Sequence, residues 1–216
     1  MRIVEPSFEI VYMPEYADIL RVIEMAGRTC WQSEPKGKPE EFIKHLKKMG
    51  HDSVIEDMFA VIKLICDRGV SHEIVRHRIA GYSQSSTRYC NYAKEKFGGE
   101  IVFVRPFFFK AGTDENLVWA QTMSDCEDAY LRIISNGRTP QEARSVLPNS
   151  LKTEIVISAN MREWRHIFKL RCGKASHPQM RQSMLPVLAE FNRRCPVLFE
   201  DIYEIHKEEI SNAANP

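Results

Sequence analysis

Three stretches of the chain carry the apolar or alternating pattern that is typical of β-strands. They are Phe8–Tyr12, Met58–Cys66 and Lys152–Asn160. In the third, Ile155, Ile157 and Ala159 alternate with Glu154, Val156, Ser158 and Asn160, so one face of that strand should be buried. The segment from Lys94 to Gly112 has a pattern that fits either a strand or an irregular connection.

Apolar residues repeat at intervals of three and four along longer stretches, which predicts amphipathic helices. These stretches run from Pro14 to Gly27, from Pro39 to Met49, from Asp114 to Asn136, from Met180 to Arg194 and from Pro196 to Glu209, with shorter helices that begin at Ser71, Pro140 and Met161. Strands and helices are interspersed, and we find no internal repeat or linker. We therefore predict an α/β fold (α+β-like), with a central sheet flanked by helices, in a single domain over residues 1–216.

The composition narrows the class of protein. The chain has 216 residues, of which 44% are hydrophobic and 27% are charged, as in an ordinary globular protein. It carries 30 basic and 29 acidic side chains, so no global charge favours nucleic acid or an anionic membrane. No apolar run is long enough to span a bilayer, and the first ten residues lack the apolar core of a signal peptide. We expect a cytoplasmic protein whose six scattered cysteines are reduced and packed.

The densest chemistry lies between Arg76 and Arg88. Arg76-His77-Arg78 is followed, after seven residues, by Ser86-Thr87-Arg88. Guanidinium groups and hydroxyls are the donors that phosphate and carboxylate oxygens prefer, so the segment predicts an anion-binding pocket. A solvated basic stretch is the alternative, but the segment lacks lysine and is interrupted by Ile79-Ala80-Gly81, which favours the pocket.

A helix that continued through this segment would separate its arginines. Glu73 and His77, four residues apart, would then lie close enough to pair, whereas Arg76 and Arg78 would point about 200° apart around the axis. Both arginines can serve one ligand only if the helix ends there or if two subunits share the site.

A second polar set is predicted where a strand meets a helix. Asn160, Arg162 and His166 lie at that junction, where helix N-terminal amides favour an anion, and a solvated helix face is the alternative. Arg144 and Arg171 fall near predicted helix ends. The chain lacks the glycine-rich dinucleotide and P-loop motifs and the spacing of zinc ligands, so we expect no metal. A Ser-His-acid system stays open, and residue chemistry alone predicts a pocket for one or more phosphorylated ligands.

The motif R-H-R, seven residues and S-x-R resembles the signature of the flavin-dependent thymidylate synthases. Tyr89 follows it here, and the resemblance extends through Gly50–Ser53, Ala143–Pro148, Asn160–Arg162 and Leu170–Arg171. It implies synthesis of dTMP from dUMP, with methylenetetrahydrofolate as one-carbon donor and NADPH as reductant through bound FAD. It also implies a family-specific α/β fold without a Rossmann unit, in a homotetramer whose sites lie between subunits. Sites shared between subunits would accommodate divergent arginines.

The resemblance assigns ligands residue by residue. The residues that it places at FAD are His51, Ser53, Arg76, His77, Arg78, Gln84, Asn160, Arg162 and His166. Those that it places at dUMP are Glu73, Arg76, Ser86, Thr87, Arg88, Arg144 and Arg171, with Arg171 as the catalytic residue at the uracil edge. Gln84 and Glu73 depart from the pattern of some relatives, which have an acid and a glutamine there. The segment Ser176–Arg181 also departs from it and receives no ligand.

Two other functions remain open from the sequence. The segment from Arg76 to Arg88 could form a basic groove for RNA, with Tyr82, Tyr89 and Tyr92 as stacking partners, although neutral net charge disfavours it. The second open function is that of a catalytically inactive, nucleotide-binding relative of the family. The implied mechanism requires no cysteine nucleophile, so we expect Cys90 and Cys172 to serve packing only.

Overall fold

A computed structural model describes residues 1–214 and shows a mixed α/β fold. Within these residues the strands are β1 (Arg2–Val4), β2 (Ser7–Tyr12), β3 (Phe59–Asp67), β4 (Gly81–Gln84), β5 (Val102–Val104) and β6 (Lys152–Asn160). The helices are α1 (Tyr16–Trp31), α2 (Pro39–Lys48), α3 (Arg68–Ile74), α4 (Asp114–Ser135), α5 (Pro140–Ala143), α6 (Met161–Arg171), α7 (Pro178–Arg194) and α8 (Pro196–Ala214). Short 3₁₀ turns cover Asp52–Ile55, Glu95–Phe97 and Arg144–Val146.

The strands form two sheets. The smaller sheet pairs β1 with β5 in parallel, with Ile3 opposite Phe103, and the larger has the order β2–β3–β6–β4. The predicted strands at β2, β3 and β6 are confirmed to within a residue at each end. The alternation in β6 is also confirmed, because Ile155, Ile157 and Ala159 are all buried.

Contacts between Cα atoms divide the chain into two compact units. Unit 1 contains Met1–Ser7, Leu64–Arg76 and Ser83–Val156, and unit 2 contains Phe8–Lys63, His77–Tyr82 and the described residues from Ile157 onward. Each unit is assembled from three separate segments of chain. The single domain over residues 1–216 stays a prediction.

Unit 1 is organised around α4, the longest helix predicted from the sequence. Trp119, Met123 and Tyr130 of α4 are buried with Phe103 of β5. The indole Nε1 of Trp119 donates to Ser150 Oγ at 3.1 Å, so this buried polar atom is satisfied. The segment from Lys94 to Gly112, left open by the sequence, contains a 3₁₀ turn, the strand β5 and irregular chain.

Unit 2 has an aromatic core contributed by its C-terminal helices. Trp164 and Phe168 of α6 pack with Phe191 of α7 and Phe199 of α8, with ring centroids 5.0 to 5.7 Å apart. Burial of such rings provides hydrophobic stabilisation and favourable edge-to-face contacts. The Trp164 indole donates to the carbonyl of Ala60 at 3.1 Å, which ties α6 to β3.

The first helix does not end where the sequence predicted. Gly27 lies inside α1, which continues to Trp31 and ends at Gln32 in the left-handed conformation, with φ of 45°. A Cβ at Gly27 would lie 2.8 Å from side-chain atoms of both Phe42 and Leu46 of α2. Gly27 is therefore a close-packing position between two helices rather than a C-terminal stop, which is why reading it as a stop was wrong.

The helix before the arginine motif also differs from the prediction. Its N-cap is Asp67, whose carboxylate accepts a hydrogen bond from the Val70 amide at 2.8 Å, so Ser71 is an interior residue and not the cap. The helix ends at Ile74. His77 is consequently not one helical turn from Glu73, and the predicted divergence of Arg76 and Arg78 does not apply.

Candidate functional site

The predicted site residues belong to both units. Unit 1 contains Glu73, Arg76, Gln84, Ser86, Thr87, Arg88 and Arg144. Unit 2 contains His51, Ser53, His77, Arg78, Asn160, Arg162, His166 and Arg171. Arg76 and Arg78 are both exposed and follow the end of α3. The motif thus consists of a turn on either side of the short strand β4.

In unit 1, the second half of the motif is a tight turn. The amides of Tyr89 and Cys90 donate to the carbonyl of Ser86 at 3.1 and 3.0 Å, and the amide of Arg88 lies 3.3 Å from Ser86 Oγ. Arg88 is exposed, with its guanidinium carbon 5.5 Å from the ring centroid of Tyr89. The turn therefore presents a cation, a hydroxyl and backbone amides within a few residues.

Arg144 approaches this turn from a distant part of unit 1. A capping box of Thr139 and Glu142 begins α5, and the chain then enters the 3₁₀ turn that carries Arg144. Arg144 Nη1 donates to Thr87 Oγ1 at 3.5 Å, although the two residues are 57 positions apart. The structure thus brings together two parts of the predicted dUMP set.

Gln84 is held within unit 1 by hydroxyl groups. Its amide nitrogen donates to Ser71 Oγ at 2.8 Å and to Thr153 Oγ1 at 3.1 Å. Both donors of the amide are used, so the group that it can offer to a ligand is its carbonyl oxygen. Ser71 and Thr153, which orient Gln84, carry no sequence pattern that predicts this role.

In unit 2, the imidazole of His77 is the best-enclosed predicted site group, with its side chain 3% exposed. Nδ1 lies 3.2 Å from Glu163 Oε1, and Nε2 lies 2.9 Å from Arg171 Nε. An arginine can only donate, so Nε2 accepts and Nδ1 carries the proton that is donated to Glu163. The ring of His166 lies edge-on to that of His77, with centroids 5.4 Å apart.

Electrostatics keep this imidazole neutral. Burial, followed by the positive charge of Arg171 and the proximity of His166, lowers the pKa of His77 to about 4. Burial also raises the pKa of Tyr82 to about 12, so its hydroxyl stays protonated and donates to the carbonyl of His77 at 2.9 Å. The imidazole is therefore fixed through its ring and through its main chain.

The start of α6 supplies the remaining polar groups of unit 2. Asn160 is the N-cap, and its side-chain oxygen accepts from the amide of Glu163 at 2.8 Å. Arg162 is exposed and forms an ion pair with Glu56. Arg162 and His166 are both exposed, so their side chains are accessible from solvent.

The remaining predicted flavin residues lie near the 3₁₀ turn at Asp52–Ile55. The carbonyl of Ser53 in this turn accepts from the amide of Glu56 at 3.1 Å. His51 directly precedes the turn, and its ring meets that of Trp31 edge-on with centroids 5.8 Å apart. This polar turn follows directly after α2 and Gly50.

Ligand atoms of His77, Glu163 and His166 all lie within 4.8 Å of one another, a spacing that a metal ion could use. However, the lone pair on Nε2 of His77 accepts from a guanidinium, which also places a positive charge beside the ring. This arrangement fits a hydrogen-bonded network better than a cation site. The absence of a bound metal stays a prediction.

Glu163 is the main residue of this site that the sequence analysis missed. It is 6% exposed and 86 positions from His77, so no local pattern linked the two. The helical pattern carried no signal for it, because Glu163 lies about 160° from Met161 and about 100° from Trp164 around the helix axis, outside the apolar stripe.

Comparison with known proteins gives consistent matches over most of the chain. The model of a family described as thymidylate synthase complementing protein matches residues 12–197. A protein named flavin-dependent thymidylate synthase from Geobacter sulfurreducens is 29% identical over 203 residues, which cover 89% of this chain and 86% of the relative. A protein of the same name from Pyrococcus furiosus is 32% identical over 177 residues, covering 80% of this chain and 72% of the relative. Among the described residues, no helix is both long and apolar enough to cross a lipid bilayer.

Proposed function

The chain belongs to the thymidylate synthase complementing protein family, and from this premise we propose that it is an FAD-dependent thymidylate synthase that converts dUMP to dTMP. Methylenetetrahydrofolate is the proposed one-carbon donor and NADPH the proposed reductant. The family match confirms the resemblance that was identified from the motif between Arg76 and Arg88.

The structural observation that carries the proposal is the approach of Arg144 to Thr87 in the motif turn. Arg88, Arg144 and the Ser86 hydroxyl offer the charge-assisted donors that a nucleotide phosphate needs. We assign this group to the phosphate of dUMP. Glu73 is the least favourable member of the set, because a carboxylate near a phosphate is repulsive unless a cation pairs with it.

Arg171 is the proposed catalytic residue. A guanidinium at the uracil edge stabilises negative charge on the ring and assists ionisation at N3, which raises electron density at C5 for attack on the transferred carbon. The hydrogen bond between Arg171 Nε and His77 Nε2 restrains the plane of this guanidinium. This contact therefore limits the orientations that the Arg171 guanidinium can adopt.

The chemistry of the residues in the flavin set fits FAD. Its pyrophosphate requires cationic donors, and unit 2 offers the exposed guanidinium groups of Arg78 and Arg162. FAD, when bound, carries the reducing equivalents from NADPH. We assign His51, Ser53, Arg76, His77, Arg78, Gln84, Asn160, Arg162 and His166 to its binding.

We further propose the family-specific fold without a Rossmann unit and a homotetramer with sites between subunits, with no nucleic acid or membrane as partner. Cytoplasmic localisation stays a prediction. The RNA-binding alternative gains no support from Tyr82, since its hydroxyl is bound to the carbonyl of His77 and the residue is half-buried. Formation of dTMP by the purified protein would distinguish an active enzyme from a catalytically inactive nucleotide-binding relative.

The test is spectroscopic and then chemical. Purified protein, with FAD added, should show the absorption spectrum of a bound flavin, and NADPH should bleach it under anaerobic conditions. Addition of dUMP and methylenetetrahydrofolate should then yield dTMP, measured by chromatography. Protein that leaves FAD unbound, or that binds it and makes no dTMP, contradicts the proposal.

A further inference from the structure

A buried carboxylate in unit 2, that of Glu163, contacts the imidazole that lies beside Arg171. Glu163 Oε1 lies 3.2 Å from His77 Nδ1, and His77 Nε2 lies 2.9 Å from Arg171 Nε. We propose that Glu163 is a positioning residue, which holds His77 in the tautomer that accepts a hydrogen bond from Arg171. The inference rests on the proposed function, because it gives Glu163 a role in presenting the catalytic arginine.

The donors and acceptors around His77 determine which tautomer the ring adopts. A neutral imidazole has one N–H and one lone pair, and the ring nitrogen that faces the guanidinium must supply the lone pair. Its proton then resides on Nδ1, where Glu163 accepts it. Without that acceptor the proton can move to Nε2, which would face the Arg171 N–H with a second donor and break the contact.

Glu163 is itself rigidly held. Its side chain is 7% exposed, and its backbone amide is bound by the N-cap Asn160 at 2.8 Å. The next residue, Trp164, is fully buried and anchored to Ala60. Glu163 lies in the first turn of α6, where the helix dipole favours a negative charge. The carboxylate therefore occupies a fixed position from which it can restrain the imidazole.

The charges around His77 support a neutral ring. Arg171 and His166 face it together with Glu163, and the pKa of His77 is lowered to about 4 by burial and by these two basic groups. Burial raises the pKa of Glu163, while His166 opposes this shift. A neutral imidazole with two engaged nitrogens can transmit orientation from Glu163 to Arg171.

The contacts from Glu163 to His77 and from His77 to Arg171 predict a kinetic pattern for substitutions of Glu163. Glu163→Gln keeps an oxygen acceptor and should change kcat by less than about threefold. Glu163→Ala removes the acceptor and should lower kcat by about 10-fold or more, as with other residues that orient a functional group. Arg171→Ala removes the group that is positioned, so the double variant should be within twofold of Arg171→Ala alone. Multiplicative losses would overturn the proposal.

Glu127→Gln is the matched control for a buried glutamate. Glu127 is 7% exposed in unit 1, where it accepts from the amide of Ile101 at 2.7 Å, and it has no part in the proposed sites. It should lower thermal stability without changing kcat per bound flavin. All rates are divided by bound flavin, so a loss of folded enzyme is not counted as a loss of kcat.

Nitrogen-15 NMR of His77 tests the inference without turnover. The spectrum should show the proton on Nδ1 in the parent protein and a shift towards Nε2 in Glu163→Ala. A proton on Nε2 in the parent protein would overturn the proposal. So would displacement of the Nδ1 proton by added Zn²⁺ with coordination by His77, which would make the cluster a metal site.

The two proposals fail in different ways. If the parent protein makes no dTMP, the proposed function fails while the NMR result still decides whether Glu163 sets the tautomer of His77. If dTMP forms at a normal rate and folded Glu163→Ala retains kcat within twofold, the positioning role fails alone.

Discussion

The neutral imidazole of His77 should make folding stability fall as the pH is lowered from about 6.5 towards 4. Burial, Arg171 and His166 lower the pKa of His77 from 6.5 to about 4 in the folded protein. The unfolded chain therefore binds a proton in a range where the folded chain does not. The stabilisation is complete above the unfolded pKa and is lost as the pH approaches the folded value.

The magnitude follows from the interval between the two pKa values. Each pH unit corresponds to about 1.36 kcal/mol, which gives an upper limit of about 3 kcal/mol for His77. Solvent near the exposed His166 screens part of this, so we expect about 2 kcal/mol. The pKa of His206 is also lowered, so this residue likewise makes stability fall as the pH is lowered. The pKa of Glu163 is raised, so this residue makes stability rise as the pH is lowered.

Urea unfolding at pH 7.5, 6 and 4.5, followed by circular dichroism, measures this effect. The comparison is between the parent protein and His77→Asn, which cannot titrate, each at the same flavin concentration because bound ligand raises apparent stability. The same comparison is repeated with Glu163→Gln in both proteins, because this substitution removes the carboxylate whose titration opposes that of His77. The parent should lose about 2 kcal/mol more than the variant over this range. Equal losses in both backgrounds would refute a buried neutral His77.

Three further outcomes are expected. Arg88→Ala should weaken dUMP binding by about 2 kcal/mol in calorimetry, since a charge-assisted phosphate contact is lost, and unchanged affinity would remove Arg88 from the site. Cys90→Ala and Cys172→Ala should each retain turnover, and its abolition in folded protein would show that a thiol takes part. Trp164→Ala should lower the unfolding free energy by about 3–5 kcal/mol in urea, because it empties the aromatic core of unit 2, and a loss under about 1 kcal/mol would contradict that packing.

Local patterns predicted the elements that local forces determine. The alternation along β6 matched its buried face, and the helix predicted to begin at Pro140 matched α5. β4 was missed because Gly81–Gln84 has no apolar alternation, and it is a strand only through its pairing in the larger sheet. Gly27 was misread because a glycine that permits close helix packing has the same local signature as one that ends a helix.

The candidate site shows the same division between local and distant information. Arg88 and Ser86 could be assigned together because they share a turn, whereas the approach of Arg144 to Thr87 depends on tertiary structure. Glu163 belongs to the second case. It lies about 160° from Met161 and about 100° from Trp164 around the helix axis, so the apolar stripe of α6 gave no reason to expect a buried carboxylate there. Only the folded chain shows that Glu163 is buried and that its partner is His77, and this contact connects Glu163 to the imidazole that accepts from Arg171.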